Sequence, residues 1–172
     1  MSLPSLPSLR ELAARFPSHG TLRWIGLRPA QGSAMSIAPE VEVLAQRGLK
    51  GDRTSLRTGG ERQVTLFQFE HLAVLASLLG RDQVLPQQLR RNLAVSGINL
   101  LALRTGRFTI GGVPFQGTGP CAPCRRLEQT LGPGGFNASR GHGGITARVL
   151  GDGWLRLGDE VVATAASEDT DE

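Results

Sequence analysis

Residues 108–116 have the sequence Phe108-Thr109-Ile110-Gly111-Gly112-Val113-Pro114-Phe115-Gln116, in which two glycines separate two short apolar segments. Adjacent glycines suit the two-residue turns that join antiparallel strands, because these turns need positive φ angles that glycine adopts without strain. The stretch therefore predicts a tight β-hairpin, and it predicts antiparallel pairing in the C-terminal third of the chain.

Similar short apolar segments, bracketed by glycine, proline or polar residues, occur along the chain from Thr21 onward. Their lengths and flanking turns are typical of β-strands. The predicted strands are 22–27, 41–45, 64–67, 93–96, 108–110, 113–116, 145–150, 154–157 and 161–164. A second hairpin is predicted at Gly151-Asp152-Gly153, just before the strand at 154–157.

Helical patterns are few and short. The segment Ser8-Leu9-Arg10-Glu11 has capping-box spacing and predicts a short N-terminal helix. Apolar residues at helical spacing predict a core-packed helix within 69–80, and a shorter helix is predicted at 125–131. Six of the thirteen residues from 132 to 144 are glycine, so this segment is predicted to be a loop.

Short strands without βαβ alternation predict a mainly β (α+β) fold, a small and mostly antiparallel β-barrel with a few peripheral helices. A chain of 172 residues suits one domain with a single core. We expect an N-terminal tail with a short helix at 1–20, the barrel domain at 21–164, and an acidic disordered tail at 165–172.

The composition is that of an ordinary globular protein, with 40% hydrophobic residues. No segment approaches the roughly 18 to 20 consecutive apolar residues of a membrane span, and Met1-Ser2-Leu3-Pro4 does not resemble a signal peptide. We therefore expect a cytoplasmic protein that does not associate with membranes. Two cysteines are too few for a secreted disulfide scaffold, so free thiols with metal or catalytic uses are expected.

The positive charge is carried almost entirely by arginine. Of the 19 basic residues 18 are arginine, and Lys50 is the one lysine. Eleven acidic residues face these 19 basic residues in 1–167, an excess of eight positive charges over the chain before the acidic end. Guanidinium groups bind phosphate and carboxylate through paired hydrogen bonds. Such a surface could bind a phosphorylated small molecule, but a charge excess alone is usually a solvated surface. Because no nucleic-acid-binding motif accompanies the charge, nucleic acid is not expected.

Both cysteines lie in one stretch, Gly119-Pro120-Cys121-Ala122-Pro123-Cys124-Arg125-Arg126-Leu127. Cys124 stands where a helix can begin, and helical N–H groups together with the two arginines would favour its thiolate, the reactive form of cysteine. The pair also has the spacing of half a zinc site, but the further ligands would have to come from His19, His71 and His142. Of these, His142 lies in the glycine-rich segment and is a candidate proton donor or orienting group.

Two polar motifs are candidates for ligand binding. Gly51-Asp52-Arg53 lies in a turn between strands, where glycine lets a ligand approach the backbone and the two charged side chains are expected to orient each other. Arg90-Arg91-Asn92 stands just before the strand at 93–96. Because successive strand residues face opposite ways, one of the two arginines could line a cavity and bind an anion, although solvated charge is the commoner outcome for an isolated pair.

In combination and in this order, a set of short motifs resembles the MOSC domain, which is named after the C-terminal part of molybdenum cofactor sulfurase. The motifs are Gly51-Asp52-Arg53, Arg62-x-Val64-Thr65-Leu66 with Glu70, Arg91-Asn92-Leu93, Pro123-Cys124, Gly143-Gly144 with Ala147-Arg148-Val149, and Gly158-Asp159. The resemblance covers about residues 21–163, and it implies a β-barrel of the pyruvate kinase barrel type.

The resemblance also implies a link to the molybdenum cofactor. The family's cysteine, which corresponds to Cys124, is thought to carry sulfur as a persulfide or to ligate molybdenum in oxidoreductases that reduce N-hydroxylated compounds. Cys124 is then the catalytic and metal-binding residue, with His142 as a second catalytic candidate. Arg91 and Arg53 would bind phosphate or pterin, oriented by Asn92 and Asp52. The predicted cofactor-binding residues also include Gly51, Arg90 and Arg148. Cys121 could resolve a persulfide at Cys124 or be a spectator. The implied partners are an electron-donating reductase or a cysteine desulfurase, with a small N-hydroxylated or sulfur-accepting substrate.

Two further possibilities remain at this stage. Family domains are associated with pyridoxal-phosphate-dependent desulfurases, but a Schiff base needs a lysine and Lys50 is the one available, so covalent binding of pyridoxal phosphate is not expected. The alternative function is a non-catalytic binding module, with a structural zinc site at Cys121 and Cys124 and a basic anion-binding surface.

Overall fold

The computed structural model of the protein describes residues 6–164. The predicted acidic tail at 165–172 therefore lies outside the described residues, as do residues 1–5. The strands are β1 Gly20–Leu27, β2 Ser36–Ile37, β3 Glu40–Leu44, β4 Gly48–Leu49, β5 Val64–Gln68, β6 Leu93–Ser96, β7 Arg107–Ile110, β8 Val113–Pro120, β9 Ile145–Val149, β10 Gly153–Arg156 and β11 Glu160–Thr164. All nine predicted strands are present, so the mainly β class is confirmed.

Seven strands close into a barrel. The order around it is β11, β7, β8, β9, β5, β6 and β1, and β1 pairs with β11 to complete the circle. The predicted hairpin at Gly111-Gly112 is confirmed, since β7 and β8 are antiparallel neighbours. The sequence predicted no βαβ unit, but one is present: β5 and β6 run parallel and are joined by a helical crossover. The barrel is thus mostly, not wholly, antiparallel.

A smaller three-stranded sheet is formed by β10, β3 and β4. The predicted second hairpin at Gly151-Asp152-Gly153 is wrong, because β10 pairs with β3 and not with the strand that precedes it. After this turn the chain leaves the barrel sheet, and its strand partner β3 lies more than a hundred residues earlier in the sequence.

The helices lie at the periphery, as predicted. They are α1 Leu9–Ala13, α2 His71–Leu78, α3 Pro86–Leu89, α4 Arg125–Leu131 and α5 Gly135–Ala138, with short 3-10 helices at Arg53–Leu56 and Leu100–Leu103. The capping box of α1 is present at Ser8 and Glu11. The segment 132–144 is not entirely a loop, because α5 forms there with Glu128 accepting hydrogen bonds from the N–H groups of Gly134 and Phe136.

The core has two parts on either side of the barrel wall. One cluster fills the barrel interior and includes Leu66, Phe108 and Phe115, all fully buried. The other lies between the outer face of the wall and the helices, and includes Phe67 and Leu127. Because helices cover β5 from outside, Thr65 is buried although it faces away from the barrel interior. This covered outer face carries the polar residues described next.

No helix within residues 6–164 is long and apolar enough to cross a membrane.

Candidate functional site

A buried polar network lies on the outer face of the barrel wall, beneath the segments that cover this face. Arg28, at the end of β1, donates from Nε and Nη2 to the carboxylate of Asp52 at 3.0 and 3.1 Å, and its backbone N–H donates to the same carboxylate at 2.8 Å. Asn92 donates to Asp52 at 2.8 Å and accepts from Arg28 and from Thr65. The network thus ties together four segments that are far apart in sequence, and all four side chains are buried.

The carboxylate of Asp52 is held in its charged form. Burial by itself would raise its pKa, but the hydrogen bonds and charge of Arg28, with N–H donors from Arg28 and Thr54, lower the pKa to about 2. The expected mutual orientation of Asp52 and Arg53 is wrong, because Asp52 pairs with Arg28 while the Arg53 side chain is exposed. Asn92 likewise orients Arg28 rather than Arg91.

Arg91 holds the loop that carries the cysteines. Its side chain is buried, and it donates from Nε to the carbonyl of Gly143 at 2.9 Å and from Nη2 to the carbonyl of Ala122 at 3.2 Å. Burial lowers the pKa of Arg91, while the neighbouring Cys121 and Cys124 thiols act in the opposite direction. Two of its five N–H donors are therefore used on the protein backbone, which differs from a side chain free to bind an anion.

Three guanidinium groups lie within electrostatic range of the Arg90 guanidinium. Burial lowers the pKa of Arg90, and the positive charges of Arg126, Arg28 and Arg53 lower it further, while Asp52 opposes them. Arg90 takes a left-handed conformation with φ of 54° at the end of α3 and donates to the carbonyl of Ser33. We call Arg28, Arg53, Arg90 and Arg126 the arginine cluster. Asp52 is the carboxylate that opposes this charge at Arg90, so the positive groups outnumber it four to one.

The two thiols have different surroundings. Cys121 is buried at 3% exposure, whereas Cys124 is exposed, and both are free cysteines. Cys124 is the residue that immediately precedes α4, as predicted, and its side chain makes no capping hydrogen bond. The exposed Cys124 lies two residues before Arg126, a member of the arginine cluster.

The glycine segment Gly141-His142-Gly143-Gly144 packs directly against this cysteine loop. The backbone N–H of Cys121 donates to the carbonyl of Gly144 at 2.8 Å. A Cβ at Gly143 would lie 2.0 Å from the carbonyl oxygen of Cys121, so only glycine fits there. His142 itself contacts His71, the first residue of α2, with 3.2 Å between the two Nδ1 atoms.

The other predicted residues lie outside this network. Gly51 occupies the turn after β4 with φ of +90°, and the adjacent Lys50 is exposed and paired with Glu42. Arg148 extends from β9 and forms an ion pair with Glu61. Among residues 6–164, no group of three or more His, Cys, Asp and Glu side chains is arranged to hold a metal ion.

The sequence model of the MOSC domain matches residues 53–162. The chain belongs to the MOSC domain family. This confirms the resemblance carried by the short motifs, although Gly51 and Asp52 lie just before the matched range.

Solved structures show the same MOSC-type barrel. YuaD from Bacillus subtilis has a TM-score of 0.73 at 18% identity, covering 88% of this chain and 100% of that chain. YiiM from Geobacillus stearothermophilus has a TM-score of 0.70 at 18% identity, covering 87% and 77%. YiiM from Escherichia coli has a TM-score of 0.66 at 19% identity, covering 89% and 73%. No curated protein matches the chain.

One residue of the site and one contact were not predicted from the sequence: Arg28 was not singled out, and His71 was named as a possible zinc ligand but not as the partner of His142. Arg28 is a single arginine before Pro29, and nothing local distinguishes it from a surface arginine at a strand end. His71 has helical spacing in a segment whose apolar face packs in the core. An arginine directly after a buried strand, and a histidine at a helix start, are weak signals that gain meaning only from their tertiary partners.

Proposed function

We propose that this MOSC protein binds the molybdenum cofactor and uses Cys124 in the reduction of N-hydroxylated compounds, with electrons from a reductase partner. The observation that carries the proposal is the arginine cluster beside an exposed, unpaired thiol. Family membership supports the choice of cofactor, because the domain is named after an enzyme of that cofactor.

The donor set fits both ends of such a cofactor. The pterin carries an anionic phosphate, and guanidinium groups bind phosphate through paired, charge-assisted hydrogen bonds. Arg53 and Arg126 are the exposed members of the arginine cluster, and Arg90 is partly buried, so these three would hold the phosphate. Arg28 would contribute charge but is itself bound by Asp52 and Asn92.

Cys124 is the residue that would bind the metal of the cofactor. A thiolate is a soft ligand that binds transition metals through sulfur, and Cys124 is a free cysteine that could supply one. Arg91 holds the backbone of the cysteine loop at Ala122, so the thiol is presented from a fixed loop. Cys121 is buried, and we assign it to loop packing rather than to chemistry.

When bound, the cofactor would supply a centre that passes two electrons to the substrate. Reduction of an N-hydroxylated compound to the amine breaks the N–O bond, consumes two electrons and two protons, and releases water. The electrons would come from a reductase partner. The chain would hold the cofactor on its arginines and present Cys124, and His142 is the predicted proton donor.

The test is the metal content of protein produced in cells that make the cofactor. We expect near-stoichiometric molybdenum in the wild type, loss of molybdenum in Cys124→Ser, and retention in the control Cys121→Ala. Reduction of an N-hydroxylated test compound with a supplied reductase should follow the same pattern. Protein without molybdenum that acquires a persulfide at Cys124 from a cysteine desulfurase would replace reduction by sulfur carriage.

A further inference from the structure

His71 and His142 form a contact that depends on their protonation. Their Nδ1 atoms are 3.2 Å apart, and the rings meet edge to face with centroids 4.5 Å apart. An N–H···N hydrogen bond needs one protonated and one unprotonated nitrogen. The contact therefore holds while one Nδ1 atom lacks a proton, and it is lost when both imidazoles become cations that repel each other.

The partner of His71 is part of the glycine segment at 141–144, which has little freedom to move alone. The carbonyl of Gly143 accepts from Arg91, and the carbonyl of Gly144 accepts from the backbone N–H of Cys121. A Cβ at Gly144 would lie 1.8 Å from the carbonyl oxygen of Leu66, so the segment is wedged between β5 and the cysteine loop. A displacement of His142 must therefore be passed to Arg91 and Cys121.

Water can reach the pair. A cavity of about 190 Å³ borders His71, Gly141 and Gly144, and a groove of about 720 Å³ also borders His71. These spaces give protons access to His71 and leave room for the rings to separate. The pair is thus neither sealed in the core nor free in solvent.

The charged groups around His71 set the direction of its response to pH. Burial lowers the pKa of His71 below its ordinary value of 6.5, the charge of His142 lowers it further, and Glu70 opposes both. Glu70 is itself bound to Gln68 and to the N–H of Gly97, and Arg15 lies across the groove. The lowered pKa favours the neutral form of His71, the form that can share a hydrogen bond with His142.

We propose that His71 is a positioning residue that acts through His142 to hold the glycine segment and the cysteine loop in place, and that double protonation of the pair releases this hold. The structural part of the inference stands by itself. Its consequence, that acid conditions loosen the mounting of Cys124, rests on the proposed function.

The test uses two N–H groups of the whole chain as reporters. In ¹⁵N-labelled protein, the Arg91 Nε–H and the Cys121 backbone N–H should shift together as the two histidines titrate, and hydrogen exchange at Cys121 should accelerate on acidification after correction for intrinsic rates. This wild-type titration needs no variant. Reporters that stay unchanged while both histidines titrate would overturn the proposal.

A variant series sharpens the result. His71→Ala should remove the pH response and speed exchange at Cys121 roughly fivefold at neutral pH, the factor expected for one net hydrogen bond. The matched control is His19→Ala, because His19 is the remaining histidine and is an exposed partner of Glu160. Equal behaviour of the two variants would contradict the proposal. Neither reporter involves molybdenum, so failure of the proposed function is distinguishable from failure of this one.

Discussion

The substitution Asp52→Asn tests whether the buried network holds the outer face together. The Asp52 carboxylate is the acceptor in each of its side-chain hydrogen bonds. One oxygen accepts from Arg28 and from the N–H and hydroxyl of Thr54, and the other accepts from Arg28 and Asn92. An amide in either orientation would place its NH₂ group against donors and leave Arg28 without a counter-charge.

The expected loss follows from two estimates. A pKa lowered from 3.8 to about 2 corresponds to about 2 kcal/mol of stability at neutral pH. Breaking a buried ion pair while leaving one charge unpaired costs about 3 kcal/mol or more. We therefore expect Asp52→Asn to lower the free energy of unfolding by about 3 kcal/mol at pH 7, measured by urea denaturation.

The pH dependence gives a second check. Because the folded-state pKa of Asp52 lies below its unfolded value, its contribution is fully present above 3.8 and is lost as pH falls towards about 2. The difference between wild type and Asp52→Asn should shrink over that interval. Glu40→Gln is the control, since Glu40 forms an exposed ion pair with Arg156 and should cost less than about 1 kcal/mol. Similar losses in both variants, or a difference that does not change with pH, would refute the reasoning.

Two further predictions concern the glycine segment and the arginine cluster. Gly144→Ala should destabilise the fold by several kcal/mol in chemical denaturation, because φ is +87° and a Cβ would meet the Leu66 carbonyl, whereas Gly112→Ala, with open space around it, should cost only about 1 kcal/mol. Arg126→Gln should weaken pyrophosphate binding about fivefold by calorimetry without changing stability, as expected for loss of one exposed charge-assisted contact. Arg156→Gln should leave pyrophosphate binding unchanged. Equal weakening of binding by both variants would indicate nonspecific electrostatic attraction instead of a site at the arginine cluster.

The sequence predicted the strands well, because strand formation here follows local apolar segments and turns. It failed on pairing where the partner is distant. The helical crossover makes β5 and β6 parallel, and β10 pairs with β3 instead of the strand before it. The turn residues predict neither of these two pairings. Pairing of this kind depends on how the whole barrel closes.

The candidate site was predictable in part for the same reason. Cys124 and the start of α4 follow from local sequence, and the structure has them as expected. The partner of Asp52 could not be predicted, because Arg28 comes from a separate strand and becomes its neighbour only after folding. The chemical roles of Cys124, His142 and Arg91 stay predictions, and the metal content of Cys124→Ser tests the first of them.

The barrel interior is filled by its own apolar side chains, and the polar network, the arginine cluster and the cysteine loop all lie on the outside of the wall. The larger apolar cluster and the candidate site therefore lie on opposite faces of the barrel wall. Substitutions in the segments that cover the outer face would change the candidate site without repacking the interior. Such a division would let ligand preference change while the barrel stays the same. The segments 29–35, 53–57 and 122–126, which lie outside the strands, are therefore the natural targets for redesign.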